Sequence, residues 1–511
     1  MAPRHVMRDT QMTDIQPSSD GLAAQTVRGS VYSIAASGVT LVLGFGRSVL
    51  MARLLAPEDF GVVAFALALL NFTAPLRDFG LDQALIHRRI DAEAPLNKVL
   101  AAHFFLRLIA IGLFMLLLLV AIPVLCYSYP QKTLLVPILL ALTVGEVAHA
   151  LAATPTTCLR KEMRFKELAM LQVLTSLSMT IVGPLMAWRG WGVWSIVGER
   201  VSGVVAAALV VWLFIQPWRL RWEFDWTMVR WYLGYGRFVF VAHILSRMLD
   251  EFDDFWIGTA LGSQALGFYS KSYEFAIYPR RVVSDPIAQV LFPAFAKAQD
   301  NRQRLSKAYF RISSLVVRVG FLLAGSLVAG APGLIPFFLG TKWAPMTPTF
   351  QLMVVYTLLD PLLAVSGNLV NAVGHPEFTT RARIAQSIFF VPAVVLSAYW
   401  GGIRGVAVAT DIMLLLGLGL LLYQSRGLVD VSFRKMLAGP LLALLFGVAV
   451  ALAVERLVAG VSLLASVLRV IGFTLGYSSL LIVFEWRDYL VQLRTYSTLF
   501  FKHSAGTKDH G

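Results

Sequence analysis

At 511 residues, 57% of them hydrophobic and 14% charged, with a mean hydropathy of +0.69, the chain is too poor in charge for a soluble protein, which carries about a quarter. It reads as an all-α integral membrane protein. The net charge of +14 is explained by basic cytoplasmic loops and does not call for nucleic acid as a partner.

Residues 1–28 are polar and hold no apolar core, so they read as a cytoplasmic tail and not as a cleaved signal peptide. About 20 apolar residues are needed to cross a bilayer. Fourteen stretches qualify: 30–50, 59–80, 99–125, 134–155, 168–188, 192–216, 238–259, 265–289, 312–338, 347–371, 384–400, 403–424, 437–454 and 463–484. With the N-terminus inside, 28 of the 44 Lys and Arg fall in cytoplasmic segments and 6 in outer turns. That bias puts both termini in the cytoplasm. Cys126 and Cys158 then lie at opposite faces, too far apart for a disulfide.

The first outer turn is "LAPEDFG". Pro57 suits a first helical position, and Glu58 and Asp59 favour a helix N-terminus electrostatically. The turn has an echo. "MARLLAPEDFGVVAFAL" at 51–67 aligns with "IGTALGSQALGFYSKSY" at 257–273, pairing Leu55 with Leu261 and Gly61 with Gly267. A second echo joins "GVWSIVGER" at 192–200 to "GVAVATDIM" at 405–413. Together they divide the chain into a six-helix lobe at 29–217, a second lobe at 218–425 that includes a cytoplasmic linker, two further helices at 426–485, and a tail at 486–511 expected to be disordered. Internal repeats with a site at their interface are a transporter signature.

Several separated motifs, in order, carry a resemblance: "LLAPEDFGVVAFALALLNFTAPLRDFGLDQALIHR", "LRKEMRFKELA", "GWGVWSIV", "PWRLRWEFD", "LGFYSKSYEFAIYP", "VLFPAFAKAQDNRQRLSKAY" and "LGTKWAPMTP". Over about residues 28–425 the chain resembles the polysaccharide-flippase family of the multidrug/oligosaccharidyl-lipid/polysaccharide exporter superfamily. The resemblance implies two six-helix bundles around a central cavity, alternating access, and passage of undecaprenyl-pyrophosphate-linked oligosaccharide from the inner to the outer leaflet of the bacterial cytoplasmic membrane. A polymerase and a copolymerase are partners such a protein would serve. "VLGFGRSVLMARL" and "LRDFGLDQALI" are also similar to the first two helices of the lipid II flippase, where arginines in the matching places line the cavity. Arg47 and Arg77 fall on two of those places, and Leu41 occupies a third. That departure argues against lipid II itself as the substrate. By the same likeness the last two spans are expected to form a groove for the polyprenyl tail.

Anions do not cross hydrocarbon unpaired, so arginines inside spans are the candidate phosphate ligands. The expected cationic cavity is made by Arg47, Arg77, Arg247, Arg280, Arg281 and Arg318. Arg107 is an even choice between lining and structure, Arg200 is expected to pair with Glu199, and Arg469 is expected to be structural. In "LDEFDDFWIG" the residues Asp250, Glu251 and Asp254 share a helical face with Arg247, and Asp253 lies among them. These acids, with Asp360 and Asp411, are candidates for ion coupling or gating. Glu146-x-x-His149 matches half of a di-metal motif with no second copy, so no metal site and no cofactor are expected. The sequence has no G-x-x-x-x-G-K-[ST] loop, which leaves an H⁺ or Na⁺ gradient or the membrane potential as the drive. Trp218, Trp222 and Trp226 at spacing four read as an interfacial aromatic belt.

Two rivals remain. A multidrug antiporter of the same superfamily would need an apolar cavity with one or two acids. A membrane polymerase, ligase or glycosyltransferase would need a large outer loop or a cytosolic domain, and the longest polar connection is about 22 residues.

Overall fold

The computed structural model describes residues 19–88, 95–215, 218, 225–281, 291, 294–430, 432–458, 460 and 462–505. Among them every regular element is a helix. The first lobe holds α1 (Ser19–Leu54), α2 (Pro57–Phe72), α3 (Ala74–Asp78), α4 (Leu81–His87), α5 (Leu96–Ser128), α6 (Leu135–Lys161), α7 (Phe165–Trp188) and α8 (Val193–Val210). The second holds α9 (Trp226–Ala260), α10 (Ser263–Ala276), α11 (Arg302–Leu339), α12 (Thr347–Ala372) and α13 (Pro376–Ser425), and α14 (Phe433–Leu457) and α15 (Leu463–Ala505) follow. Among the described residues ten helices are long and apolar enough to cross a membrane, or eleven if the bent α2 to α4 segment is one span. The expected spans at α9 and α10 are helical but fall short of that test. Arg247, Asp250, Glu251, Asp253 and Asp254 interrupt the first, and the second is 14 residues long.

The "APED" turn starts α2 as its chemistry requires. Pro57 occupies a first-turn position, and the Asp59 carboxylate accepts the Ala56 N–H at 3.0 Å. Further on, α2 bends by 48° into α3 and α4. The bend falls at Thr73, and α3 then passes into α4 through Phe79 at φ 40° and Gly80 at φ 67°. A Cβ at Gly80 would stand 2.6 Å from Val239, so both the backbone angle and α9 demand glycine there.

The repeat is real in space. A Cβ on Gly61 would lie 1.7 Å from the carbonyl oxygen of Ser263, and one on Gly267 would lie 1.9 Å from that of Pro57. Each glycine therefore lets α2 and α10 touch backbone to backbone, reciprocally, where the lobes meet. The second echo needs a correction of three residues. Gly192 (φ 54°, ψ −131°) opens α8, and Gly402 (φ 56°, ψ −145°) breaks α13 into two segments. These glycines correspond, not Gly192 and Gly405; the shared turn geometry marks the register that side-chain similarity misjudged.

Both ends of the chain differ from expectation. The first helix starts at Ser19, inside the segment read as a tail, and α15 continues to Ala505 where disorder was expected. Trp218 is buried against Phe104 and Trp212 in the first lobe, so it is a core residue and not part of an interfacial belt; Trp222 lies outside the described residues. Cys126 is exposed and Cys158 buried, near the ends of antiparallel helices, and both are free thiols. The last two helices pack on α11. Phe473 fills the space left by Gly325, and the Tyr477 hydroxyl donates to the Arg318 carbonyl at 2.9 Å. Arg318 grips Glu485 with both nitrogens, at 2.9, 2.7 and 2.6 Å. Arg318 is therefore an anchor for α15 and not a cavity lining. An apolar groove of about 410 Å³ opens between α1, α10 and α11, with Phe45, Phe275, Tyr278 and Phe338 in its wall, and α15 contributes Val470 alone.

Candidate functional site

Two polar cavities abut across α9. The first, about 270 Å³, lies in the first lobe and is lined by Arg77, Asp78, Arg107, Glu146, His149 and Arg247. The break after α2 places Arg77. Its guanidinium donates to the Leu70 carbonyl at 3.0 Å and to the Thr73 hydroxyl at 3.2 Å, stands 4.6 Å over the Phe114 ring, and meets Glu146 at 3.3 Å. Glu146 is thus paired with an arginine. Asp78 pairs elsewhere: Arg107 bridges Asp78 at 2.5 Å and Asp82 at 2.6 Å and donates to the Arg77 carbonyl at 3.3 Å. Fully buried His103 links Asp82 at 3.2 Å to Thr154 at 2.8 Å. Arg107 is held by two carboxylates and a carbonyl, with its buried Nε left without a hydrogen-bond partner. Arg247 is the freest of the three, 42% exposed with one contact, to Glu251 at 3.5 Å.

The second cavity, about 370 Å³, is cut into the second lobe. Asp250, Asp253, Asp254, Asp360, Arg280 and Tyr269 are among its walls. The Tyr269 hydroxyl donates to Asp253 at 2.6 Å and lies 3.3 Å from that of Thr410, and Arg280 meets Asp360 at 2.8 Å. The acidic face foreseen on α9 is split: Asp250 and Asp254 enter this cavity with Asp253, while Glu251 turns to Arg247. Asp411 is buried behind the wall, with Oδ1 left without a hydrogen-bond partner.

The six expected arginines therefore do not form one cluster. Arg77 and Arg247 share the first cavity with Arg107. Arg47 is held by Glu199 at 3.0 Å between α1 and α8, so Glu199 pairs with Arg47 and not with its neighbour Arg200. Arg280 belongs to the acidic cavity, and Arg281 lies against the Tyr278 ring, 5.7 Å from its centre. Arg469 ties α15 to α14 through Glu455 at 3.7 Å, a structural role as expected from the sequence. Sequence reading left Lys271 out of the site. It reaches from α10 to Ser48 on α1 at 2.9 Å and to Glu274 at 2.7 Å, joining the lobes. Its signal was present as a lone lysine within an apolar run.

At the distal face, the end of the bundle away from the described chain ends, the lobes are shut against each other. Lys132, on the α5–α6 turn, donates to the Gly258 carbonyl and stands 3.7 Å above the Phe65 ring. Burial pushes its ammonium down to about 8. Hydration on opening would return it toward ~10.4. Opening therefore takes up a proton, and raising the pH from about 7 to about 9 favours the closed face. The neutral amine keeps its bond to Gly258. Labelling of a distal-face cysteine by an impermeant reagent, corrected for thiol ionisation, is expected to slow over that range; faster labelling would contradict the assignment.

Residues 50–348 match the family described as polysaccharide biosynthesis protein. The chain belongs to that family. Among curated relatives, it is 26% identical over 494 residues to the succinoglycan biosynthesis transport protein ExoT of Rhizobium meliloti (strain 1021), covering 90% of this chain and 94% of that one. It is 23% identical over 390 residues to the lipopolysaccharide biosynthesis protein WzxC of Escherichia coli (strain K12), covering 75% and 77%. Among solved structures, the lipid II flippase MurJ in an inward closed conformation superimposes with a TM-score of 0.70 at 15% identity, over 91% of this chain and all of that one. An inward-facing multidrug resistance MATE transporter gives 0.64 at 16% identity, over 78% and 98%. This member of the family thus has the exporter-superfamily fold and is a multi-pass membrane protein of polysaccharide biosynthesis.

Proposed function

We propose that the protein is a flippase, not an enzyme, that carries undecaprenyl-pyrophosphate-linked oligosaccharide from the inner to the outer leaflet of the bacterial cytoplasmic membrane by alternating access. The observation that carries this reading is the arginine-lined cavity against α9, inside a bundle whose outside is apolar. Moving an unpaired diphosphate through hydrocarbon costs tens of kcal/mol on a Born estimate, roughly. Arg247 and Arg77 hold their own carboxylates at 3.5 and 3.3 Å, loose enough to exchange them for phosphate oxygens. Arg107 keeps its two short bonds and fixes the backbone at Arg77.

The acidic cavity suits coupling. Asp250, Asp253, Asp254 and Asp360 stand one helix wall from the arginines, so their protonation and the occupancy of the first cavity sense each other through α9. The carboxylates could take up H⁺ or, with the Tyr269 and Thr410 hydroxyls beside them, Na⁺. An inside-negative potential adds about 2.3 kcal/mol per negative charge per 100 mV to outward movement. The charge bias of the loops makes the distal face the outer one, with both termini cytoplasmic. A polymerase and a copolymerase would take the product at that face.

The multidrug-antiporter reading is favoured by one observation, the acidic cavity itself, which could hold an organic cation. Binding separates the two. Immobilised protein should take up a short-chain polyprenyl diphosphate in preference to the monophosphate, and Arg77→Ala with Arg247→Ala should remove the preference. Equal affinity for both lipids, with tight binding of a lipophilic cation, would favour the antiporter.

A further inference from the structure

The distal closure is made by amino groups that end on backbone carbonyls. Lys132 of the first lobe bonds Gly258 in the last turn of α9. Lys342 of the second lobe, in the turn after α11, donates to the carbonyls of Arg53 at 2.8 Å and Leu55 at 2.7 Å, at the end of α1. Helix ends leave their last four carbonyls without an intrahelical partner, and the C-terminal end of the dipole attracts cations. Each lysine therefore supplies the facing lobe with a cap that the facing lobe lacks.

The two contacts are copies of each other under the internal repeat. The α5–α6 and α11–α12 turns correspond, as do α1 and α9. Lys132 and Lys342 are 210 residues apart, the same offset that separates Gly192 from Gly402. Neither lysine was selected by the echoes in sequence, because what repeats is a cation facing a helix end. Arg53 adds a third contact of the same kind, with Nε donating to the Phe338 carbonyl at 2.7 Å at the end of α11. The Trp343 indole donates to Ala52 at 2.8 Å beside Lys342, and the Tyr129 hydroxyl lies 3.1 Å from that of Thr259 beside Lys132.

We infer that Lys132 and Lys342 are a symmetric pair of latches, each closing the distal face by capping the first helix of the opposite lobe, and that both must let go for that face to open. The chemistry suits a reversible contact. A carbonyl bond can be exchanged for water at small net cost, whereas parting a buried carboxylate pair strands two charges. The glycine crossing of α2 and α10 supplies the tight packing, and the lysines supply a clasp that gives way first. The inference rests on alternating opening as proposed above, but its test needs no substrate, so it can fail while the flippase reading stands, and the reverse.

The test is a distance. In a Cys126→Ser background, with buried Cys158 left in place, spin labels at Arg189→Cys and Arg404→Cys report the separation of the lobes at exposed distal positions. The wild type should show one short population. Lys132→Met should raise the fraction at longer distance about tenfold, as for the loss of one hydrogen bond, and Lys342→Met, which loses two, at least as much. The double variant should be mostly open. Lys132→Gln and Lys342→Gln keep an N–H donor without the charge and bury no bare apolar end against a carbonyl; they should stay more closed than Met. A short population unchanged in every variant would overturn the latch, as would a Gln pair as open as the Met pair.

Discussion

Gly61→Leu is expected to prop the distal face open and to cut transport at least tenfold, about 1.4 kcal/mol or more of lost closure. The Cβ alone would stand 1.7 Å from the Ser263 carbonyl, a backbone atom that cannot swing aside as a side chain could. The helices would have to part by more than an ångström before the rest of the side chain is placed, and overpacking of this kind costs about 1–3 kcal/mol where it is tolerated at all. Gly267→Leu should act the same way through Pro57, because the contact is reciprocal. The spin-label pair at positions 189 and 404 reads the result directly. Both variants should insert into the membrane, since α2 and α10 each keep their other faces. A folded Gly61→Leu protein with wild-type distances and wild-type transport would mean that the crossing is not needed for closure.

Arg107→Met should destabilise the first lobe by about 3–5 kcal/mol, the cost of breaking a buried ion pair and leaving its carboxylates behind. Asp78 and Asp82 would both lose their partner, and His103 would face Asp82 alone. Arg107→Lys should recover only part of this, because one ammonium cannot bond both carboxylates in the planar fork that guanidinium provides. Thermal unfolding in detergent measures the loss. The effect on transport should follow from misplacement of Arg77, whose carbonyl Arg107 holds, so diphosphate affinity should fall even at temperatures where the variant is folded. Retention of wild-type stability by Arg107→Met would show that the Asp78–Arg107–Asp82 bridge is not formed.

Local chemistry and the repeat were legible in the sequence; partners were not. Pro57, Glu58 and Asp59 start a helix through groups within one turn, so the stretch declares itself. Gly61 and Gly267 echo each other because a backbone contact that leaves no room for a Cβ demands the same residue on both sides. The choice of cavity arginines was harder. Arg47, Arg77 and Arg318 all read as candidate cavity cations, with Asp78 the one nearby partner for Arg77, yet each has an acid on a distant helix, in one case 167 residues away. Spacing along one helix carries no trace of such a partner. The same limit split the acidic face of α9: 3.6-residue geometry puts Asp250, Glu251 and Asp254 together, and packing against two lobes divides them. Lys132 and Lys342 read only as basic residues of outer turns, because their partners are carbonyls, which every residue has. The helix beyond Trp486 was not legible because the segment is short, polar and basic at its end, a composition that reads as a disordered tail.

The most direct test of the account is translocation itself. The protein is reconstituted in liposomes with a labelled undecaprenyl-pyrophosphate oligosaccharide, and the label left accessible to an impermeant quencher is followed with and without an imposed potential and pH gradient. The account predicts faster exchange between leaflets in wild type, further speeding by the gradients, and stalled exchange in Arg77→Ala with Arg247→Ala. Correctly inserted wild-type protein that leaves the lipid in its original leaflet under every gradient and with every sugar tried would contradict it.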